Sequence, residues 1–211
     1  DFDGTGAIEG RLEPELVAAL GKARAHGYVT LLVTGRVLED IQAACSDQSM
    51  FDALVAENGA LICLCGLGRT IQLGTPPPDR FLGELRAHGI PFHTGAVIVG
   101  TWDRHAIEVL NLIRQFAIDG QLVFNREALM LLPSGINKAV GVRRALEELG
   151  RSEHNLIAFG DAENDLPLLA AAEIGVAARG SAPAIAAQAD EHLSHPGGAG
   201  VAHYIHRLLE Q

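Results

Sequence analysis

The sequence predicts an α/β fold in which a parallel sheet is interrupted by a small inserted α/β module. Apolar, strand-like runs alternate with stretches of helical periodicity, as in proteins whose parallel strands are connected by helices. The β-branched and apolar run at 28–33 is typical of a strand buried on both faces. The three consecutive prolines at 76–78 fit neither a helix nor a central strand, so they mark a stiff linker at the start of the module.

The first part of the core comprises residues 1–74. Its first helix has Pro14 near the start and Gly27 just past the end, which is the usual asymmetry of these two residues. The elements predicted after this helix are a strand, a helix, a second strand and a two-stranded hairpin, at 28–33, 38–45, 53–56, 60–65 and 70–73.

The inserted module comprises residues 75–133, and the second part of the core comprises 134–211. Within the module the pattern predicts a helix, a strand, a helix and two strands, at 79–88, 91–99, 103–116, 121–124 and 128–132. The second part of the core then contains predicted helices and strands in alternation, at 138–149, 155–159, 166–172, 174–177, 183–189 and 199–209.

Composition excludes several classes of protein. The 211 residues include 16 basic and 26 acidic ones, giving a net charge of −10 and no basic stripe, which disfavours binding to duplex nucleic acid. No apolar run is long enough to cross a membrane. The three cysteines lack metal-ligand spacing and are predicted to be buried and unpaired, which favours a reducing, cytoplasmic environment.

Four polar features follow predicted strands or open a predicted helix, where open α/β sheets place their ligands. They are 1–5 (Asp-Phe-Asp-Gly-Thr), 34–36 (Thr-Gly-Arg), Lys138 and 160–165 (Gly-Asp-Ala-Glu-Asn-Asp). Each one alone has a structural interpretation: a turn, a helix cap, a surface lysine, or acids that complement a helix dipole. Lys138 is, however, one of only two lysines in an arginine-biased chain.

Together these features predict phosphoryl-transfer chemistry. Four carboxylates that converge would repel one another unless a cation bound them, and a site of oxygen ligands suits Mg²⁺. A threonine hydroxyl, a glycine amide and an ammonium group would supply donors for phosphoryl oxygens. The residues concerned are Asp1, Asp3, Asp161 and Asp165 for the acids, and Thr34, Gly35 and Lys138 for the donors.

The order of these motifs resembles that of the haloacid dehalogenase superfamily of phosphatases. The residues 57–60 (Glu-Asn-Gly-Ala) ahead of the module resemble the Cof-type branch, which carries a C2-type cap. The resemblance implies a Rossmann-like parallel-sheet core with an inserted α/β cap. It also implies a Mg²⁺-dependent phosphatase for a small phosphorylated metabolite, such as a sugar phosphate.

The resemblance also implies a role for each motif residue. Asp1 would attack phosphorus and form an aspartyl phosphate, and Asp3 would act as general acid and then base. The metal would be held by Asp1, Asp161 and Asp3, the last through its backbone carbonyl as well. The transferred phosphoryl group would be held by Thr34, Gly35 and Lys138, and supporting roles fall to Asn164 and Asp165.

Phosphatases of this superfamily have an apolar strand ahead of the nucleophile, whereas this sequence begins at Asp1. We therefore expect further residues upstream, since a sheet without that strand would present an unpaired gap. The module is small for the family, which weakly favours an open site and a compact substrate.

Several alternatives remain open at the level of sequence. Phosphomutase chemistry uses the same scaffold, and a receiver domain or a non-catalytic domain could also cluster acids, a threonine and a lysine. The motif after Lys138 argues against the receiver domain. Substrate identity and oligomeric state (monomer or homodimer) are not predicted. Four module residues could meet an anionic leaving group or simply face solvent: Arg80, His93, Arg104 and Arg126.

Overall fold

The computed structural model describes residues 1–45 and 47–210 of the chain. It begins with a short antiparallel hairpin, β1 (Ala7–Ile8) and β2 (Arg11–Leu12), followed by helix α1 (Pro14–Ala25). The sequence does not predict this hairpin, because strands of two residues carry no readable alternation.

The first part of the core forms a four-stranded sheet. Its strands are β3 (Leu31–Val33), β4 (Ala53–Ala56), β5 (Leu61–Leu64) and β6 (Arg69–Gln72), with helix α2 (Leu38–Ala44) between the first two. The spatial order follows the chain order; β3 and β4 are parallel, and the remaining pairs are antiparallel.

The second part of the core forms a separate three-stranded parallel sheet. Its elements are α5 (Lys138–Glu148), β11 (Ile157–Gly160), α6 (Leu166–Ala171), β12 (Ile174–Ala177), α7 (Pro183–Gln188), β13 (Glu191–His192) and α8 (Gly197–Leu209). The strands lie in the order β11-β12-β13. Helix α8 packs against α1, so the start and the end of the chain share one layer.

The inserted module is a four-stranded antiparallel sheet with two helices, and it has its own apolar core. Its elements are α3 (Asp79–Ala87), β7 (His93–Thr94), β8 (Val99–Trp102), α4 (Ala106–Gln115), β9 (Gly120–Asn125) and β10 (Ala128–Pro133). The spatial order is β7-β8-β10-β9. The expected α/β class is thus confirmed, and the division into a core and an inserted cap stays a prediction.

The edges of the two core sheets, β3 and β11, both line a largely apolar cavity of about 580 Å³. Helices α1 and α8 also contribute apolar side chains to its wall. The prediction of a strand ahead of Asp1 concerns residues outside this sequence and stays a prediction.

Two predicted strands are shorter or broken, and in each case the backbone amides have other partners. The strand expected at 28–33 begins only at Leu31, because the Tyr28 amide donates to the Ala23 carbonyl and the Thr30 amide to the Asp52 carboxylate. The strand expected at 91–99 is interrupted at 95–98, where three amides bind a side chain of the core.

Smaller differences concern one helix and two cysteines. The helix expected at 103–116 opens with a 3-10 turn and becomes an α-helix at Ala106. Cys45 is buried and unpaired as expected, but Cys63 and Cys65, also unpaired, are only half-buried. Of the helices in the described ranges, none is both long and apolar enough to cross a membrane.

The core of the module provides a test of its stability. Phe81 is fully buried and meets Phe116 edge to face, so Phe81→Ala should cost about 3–5 kcal/mol of unfolding free energy. Trp102, the single tryptophan, lies in this module, so its fluorescence during urea denaturation reports the change. The matched control is Phe124→Ala, at a half-exposed position, which should cost less than about 1 kcal/mol; equal losses would contradict this packing.

Candidate active site

A buried lysine lies at the centre of the site. The Lys138 ammonium donates to Asp1 Oδ1 at 2.6 Å and to Asp165 Oδ1 at 2.5 Å. The side chains of Lys138, Asp1 and Asp165 are 1%, 6% and 0% exposed. A buried charge of this kind is tolerated only when it is paired and hydrogen-bonded, so the three groups are stable as a unit.

The start of helix α5 positions this lysine. Lys138 is its first residue, and the preceding Asn137 caps the helix by accepting from the Val140 amide at 3.1 Å. The turn at 57–59 packs against this end so closely that a Cβ on Gly59, where φ is +100°, would overlap the Asn137 carbonyl oxygen. Glycine is therefore required for the contact that fixes the helix start.

The loop after β11 supplies two of the acids. Asp165 turns back on this loop, and its Oδ2 accepts from the amides of Asp161 and Ala162 at 3.0 and 3.2 Å. The 1–5 loop approaches from the other side: the Thr5 hydroxyl donates to Asp161 Oδ1 at 3.5 Å, and a Cβ on Gly4 would overlap the Asp161 carboxylate. Gly4 and Thr5 of the first motif thus hold Asp161.

Asp1, Asp161 and Asp165 form the carboxylate cluster of the site. Each offers an oxygen, and these atoms all lie within 4.8 Å of one another. Burial and the neighbouring Asp165 raise the pKa of the Asp161 carboxyl. Burial alone would raise the pKa of the Asp165 carboxyl, but the charge and the hydrogen bond of Lys138 lower it.

The charge of this cluster fits a divalent cation. Three carboxylates and one ammonium leave two negative charges among these side chains, in a largely dehydrated setting. Oxygen ligands at this spacing suit Mg²⁺. The residues present therefore fit the metal that the sequence predicts.

The Asp3 side chain lies outside this cluster. Its carboxylate accepts from Arg36 Nε at 2.7 Å and from Nη2 at 2.6 Å, a bidentate ion pair that raises the pKa of Arg36. Half of the Asp3 side chain is exposed. The structure thus brings together Asp1, Asp161, Asp165 and Lys138, whereas the Asp3 carboxylate faces Arg36 and solvent.

Thr34 and Gly35 lie directly after β3, as predicted. The Thr34 amide donates to the Val55 carbonyl at 2.8 Å, and its hydroxyl accepts from the Arg36 amide at 3.1 Å. Gly35 lies against the Asn58 side chain. Within the described part of the chain, neither residue hydrogen-bonds to the carboxylate cluster.

Asn58 connects the two halves of the core. Its amide donates to the Thr34 carbonyl at 3.0 Å, and its side-chain oxygen accepts from Asn164 Nδ2 at 2.9 Å. Its Nδ2 also contacts Met130 Sδ, in the module, at 2.9 Å. Asn164, predicted to support the site, therefore acts through Asn58.

Glu57 joins the module to the core. It is 0% exposed, and its carboxylate accepts from three successive amides of the module, those of Ala96, Val97 and Ile98, at 2.8–3.0 Å. Its own amide donates to the Arg36 carbonyl at 2.9 Å. The three amides form charge-assisted hydrogen bonds with one buried carboxylate, and such bonds are stronger than neutral ones.

The four candidate leaving-group residues of the module are placed differently. Arg80 lies over the Phe116 ring and Arg104 over the Trp102 ring, while exposed His93 packs across Gly100. Arg126 alone among these four reaches the core, with Nη2 2.7 Å from Asp161 Oδ2.

The sequence did not assign the roles of Arg36, Glu57 or Arg126 in this arrangement. An acid directly after the buried apolar strand 53–56 was the available signal for Glu57, since such an acid needs several hydrogen-bond donors. The partners of all three side chains are distant in sequence, by 33 to 41 residues.

Comparison with known proteins identifies relatives over most of the chain. The haloacid dehalogenase-like hydrolase family matches residues 112–205. The phosphoglycolate phosphatase of Methanothermobacter thermautotrophicus is 29% identical over 99% of this chain and 96% of its own length. The phosphoglycolate phosphatase 2 of Saccharolobus solfataricus is 35% identical over 47% of this chain and 42% of its own length.

Solved structures share the fold at low identity. A haloacid dehalogenase-like hydrolase from Bacteroides thetaiotaomicron gives a TM-score of 0.84 at 19% identity, covering 98% of this chain and 96% of its own. A Thermoplasma acidophilum protein gives 0.82 at 15% identity, covering 99% and 96%. A subclass IIB sugar phosphatase gives 0.78 at 17%, covering 98% and 97%. Together with the family match, these findings favour the hydrolase over the receiver domain.

The contact between Glu57 and the module provides a test. Glu57→Ala should lower the free energy of unfolding by about 2–4 kcal/mol, since three amides, two of them buried, lose their acceptor. Hydrogen exchange should show faster exchange at the amides of 96–98 than in the wild type. Glu39→Ala, at an exposed position of α2, is the control and should change neither quantity; unchanged exchange in Glu57→Ala would contradict the contact.

Proposed function

We propose that the chain is a haloacid dehalogenase-like hydrolase, and specifically a Mg²⁺-dependent phosphatase that acts through a phosphorylated Asp1. The observation that carries this proposal is the buried Lys138, whose ammonium joins Asp1 to Asp165 beside Asp161. A nucleophilic carboxylate held by a cation, next to a set of metal-ligating oxygens, is what a two-step phosphoryl transfer requires.

The contact with Lys138 orients Asp1 for attack. The ammonium binds Oδ1, which fixes the carboxylate plane and leaves Oδ2 to approach phosphorus. Burial removes the water that would otherwise solvate this oxygen, so reaction requires less reorganisation. The bond that forms joins Asp1 to phosphorus, and the bond that breaks releases the substrate alcohol.

Asp3 would handle the protons of both steps. Its carboxylate, which is ion-paired with Arg36, would act as the general base that activates the hydrolytic water in the second step. Donation of a proton to the leaving alcohol in the first step requires Asp3 to leave Arg36. Its half-exposed position permits such an exchange.

Three donors would hold the transferred phosphoryl group: the Thr34 hydroxyl, the Gly35 amide and the Lys138 ammonium. The Thr34 oxygen accepts from the Arg36 amide, so its own proton is oriented away from that amide and can be donated. Lys138 would share its ammonium between Asp1 and a phosphoryl oxygen.

Mg²⁺ would be held by Asp1, Asp161 and the Asp3 backbone carbonyl, with Asp165 and Asn164 in support. When bound, the cation would neutralise the negative charge of the phosphoryl oxygens. The excess of carboxylates over the single buried ammonium in this cluster supports this assignment.

The substrate is proposed to be a small phosphate monoester, with 2-phosphoglycolate as the first candidate. The support is the name shared by curated relatives that align with nearly the whole chain. The module, attached through Glu57, would act as the cap that shields the site from water and meets the leaving group. A cytoplasmic location stays a prediction from the three unpaired cysteines.

Release of inorganic phosphate from p-nitrophenyl phosphate tests the reaction. The full-length wild type should be active only with Mg²⁺, and Asp1→Asn should lose at least about a thousandfold in kcat, as when a covalent nucleophile is removed. Asp79→Asn, at an exposed position of α3, is the matched control and should keep wild-type activity. Turnover without added metal, or equal rates for wild type and Asp1→Asn, would refute the mechanism.

A substrate panel tests the proposed leaving group. With Mg²⁺ present, 2-phosphoglycolate should give a kcat/KM at least about tenfold above those of hexose 6-phosphates, since the small module favours a compact substrate. A hexose phosphate at the top of the panel would overturn the choice of phosphoglycolate and leave the phosphatase assignment intact.

A further inference from the structure

Arg126 occupies the tip of a tight hairpin of the module, between β9 and β10. Asn125 pairs with Ala128, so Arg126 and Glu127 form a two-residue turn, and the Glu127 carbonyl is fixed by the Asp103 amide at 2.8 Å. Arg126 has a φ of +53°, in the left-handed region. Glycine or asparagine suits such a turn position better, so an arginine here is not explained by the turn itself.

The side chain of Arg126 extends from this tip to the carboxylate cluster. It is 72% exposed, while its partner Asp161 is 7% exposed, and Nη2 lies 2.7 Å from Asp161 Oδ2. An ion pair with one largely exposed partner contributes little to stability. The guanidinium can therefore exchange Asp161 for another anion at low cost.

The other two cations of the site are already enclosed by partners. Lys138 is buried between Asp1 and Asp165, and Arg36 binds Asp3 through two nitrogens. Among the described cations that contact the predicted site acids, Arg126 is the one contributed by the module. It thus stands where a leaving group between module and core would lie.

We propose that Arg126 binds a carboxylate on the substrate's leaving group and exchanges between this carboxylate and Asp161. A divalent cation on Asp161 would compete with the guanidinium for the same oxygens and repel it, which frees Arg126 for the substrate. A planar guanidinium matches a carboxylate with two parallel hydrogen bonds. The substrate class is then a phosphate monoester of a short hydroxy acid, an assignment that rests on the proposed function.

Paired substrates separate this role from a general effect on catalysis. In 2-hydroxyethyl phosphate, an uncharged group replaces the carboxylate of 2-phosphoglycolate. In Arg126→Ala, kcat/KM for phosphoglycolate should fall about 10- to 100-fold, mainly through KM, and change less than about threefold for the neutral substrate. Arg126→Lys should recover part of the loss. Arg114→Ala, at an exposed position of α4, is the control.

A second measurement needs no turnover. Mg²⁺ binding to the substrate-free protein, followed by calorimetry, should be severalfold tighter in Arg126→Ala than in the wild type, because the competitor for Asp161 is gone. Equal losses for both substrates, no loss for phosphoglycolate, or unchanged Mg²⁺ affinity would each overturn the proposal. A wild type that hydrolyses neither substrate would instead refute the proposed function.

Discussion

The buried Lys138 ammonium is the interaction on which the site depends. It lies between Asp1 and Asp165, which are far apart in the sequence, and all three side chains are nearly inaccessible. Removing one partner of such a group leaves an uncompensated buried charge, which costs several kcal/mol, typically about 3–5. The position of the Asp1 carboxylate and the charge beside it therefore depend on Lys138, and the fold must place this residue accurately.

The position of Lys138 depends on the turn at 57–59. Gly59 lets the start of α5 approach, Asn58 binds Asn164, and Glu57 binds the module through three amides. Both Glu57 and Asn58 have left-handed backbone, with φ of 53° and 52°. Strain of this kind persists where surrounding contacts over-determine it. One strained turn thus aligns the loop of Thr34 and Gly35, the start of α5 and the module.

Sequence reasoning identified the elements that bear the site better than it identified how they are connected. The ends of strands 31–33 and 157–160 were predictable, because apolar runs followed by polar motifs are a local signal. The break in the strand expected at 91–99 was not, since it is caused by Glu57, about 40 residues away in sequence. The contact of Arg126 with Asp161 was not predictable either, because an exposed arginine in a turn resembles any solvated arginine. Backbone amides that donate to a side chain distant in sequence leave no recognisable pattern in the sequence.

Side-chain hydrogen bonds join the two halves of the core at the site. The strands β3 and β11 belong to separate sheets, and both line the cavity beside Asp1. Near the site, the two halves are joined by the hydrogen bonds of Lys138 to Asp1, of Thr5 to Asp161 and of Asn58 to Asn164. The site is therefore itself part of the structural connection between the sheets. A substitution at Lys138 or Asn58 should then weaken the attachment of one half to the other as well as the chemistry, since both depend on the same hydrogen bonds.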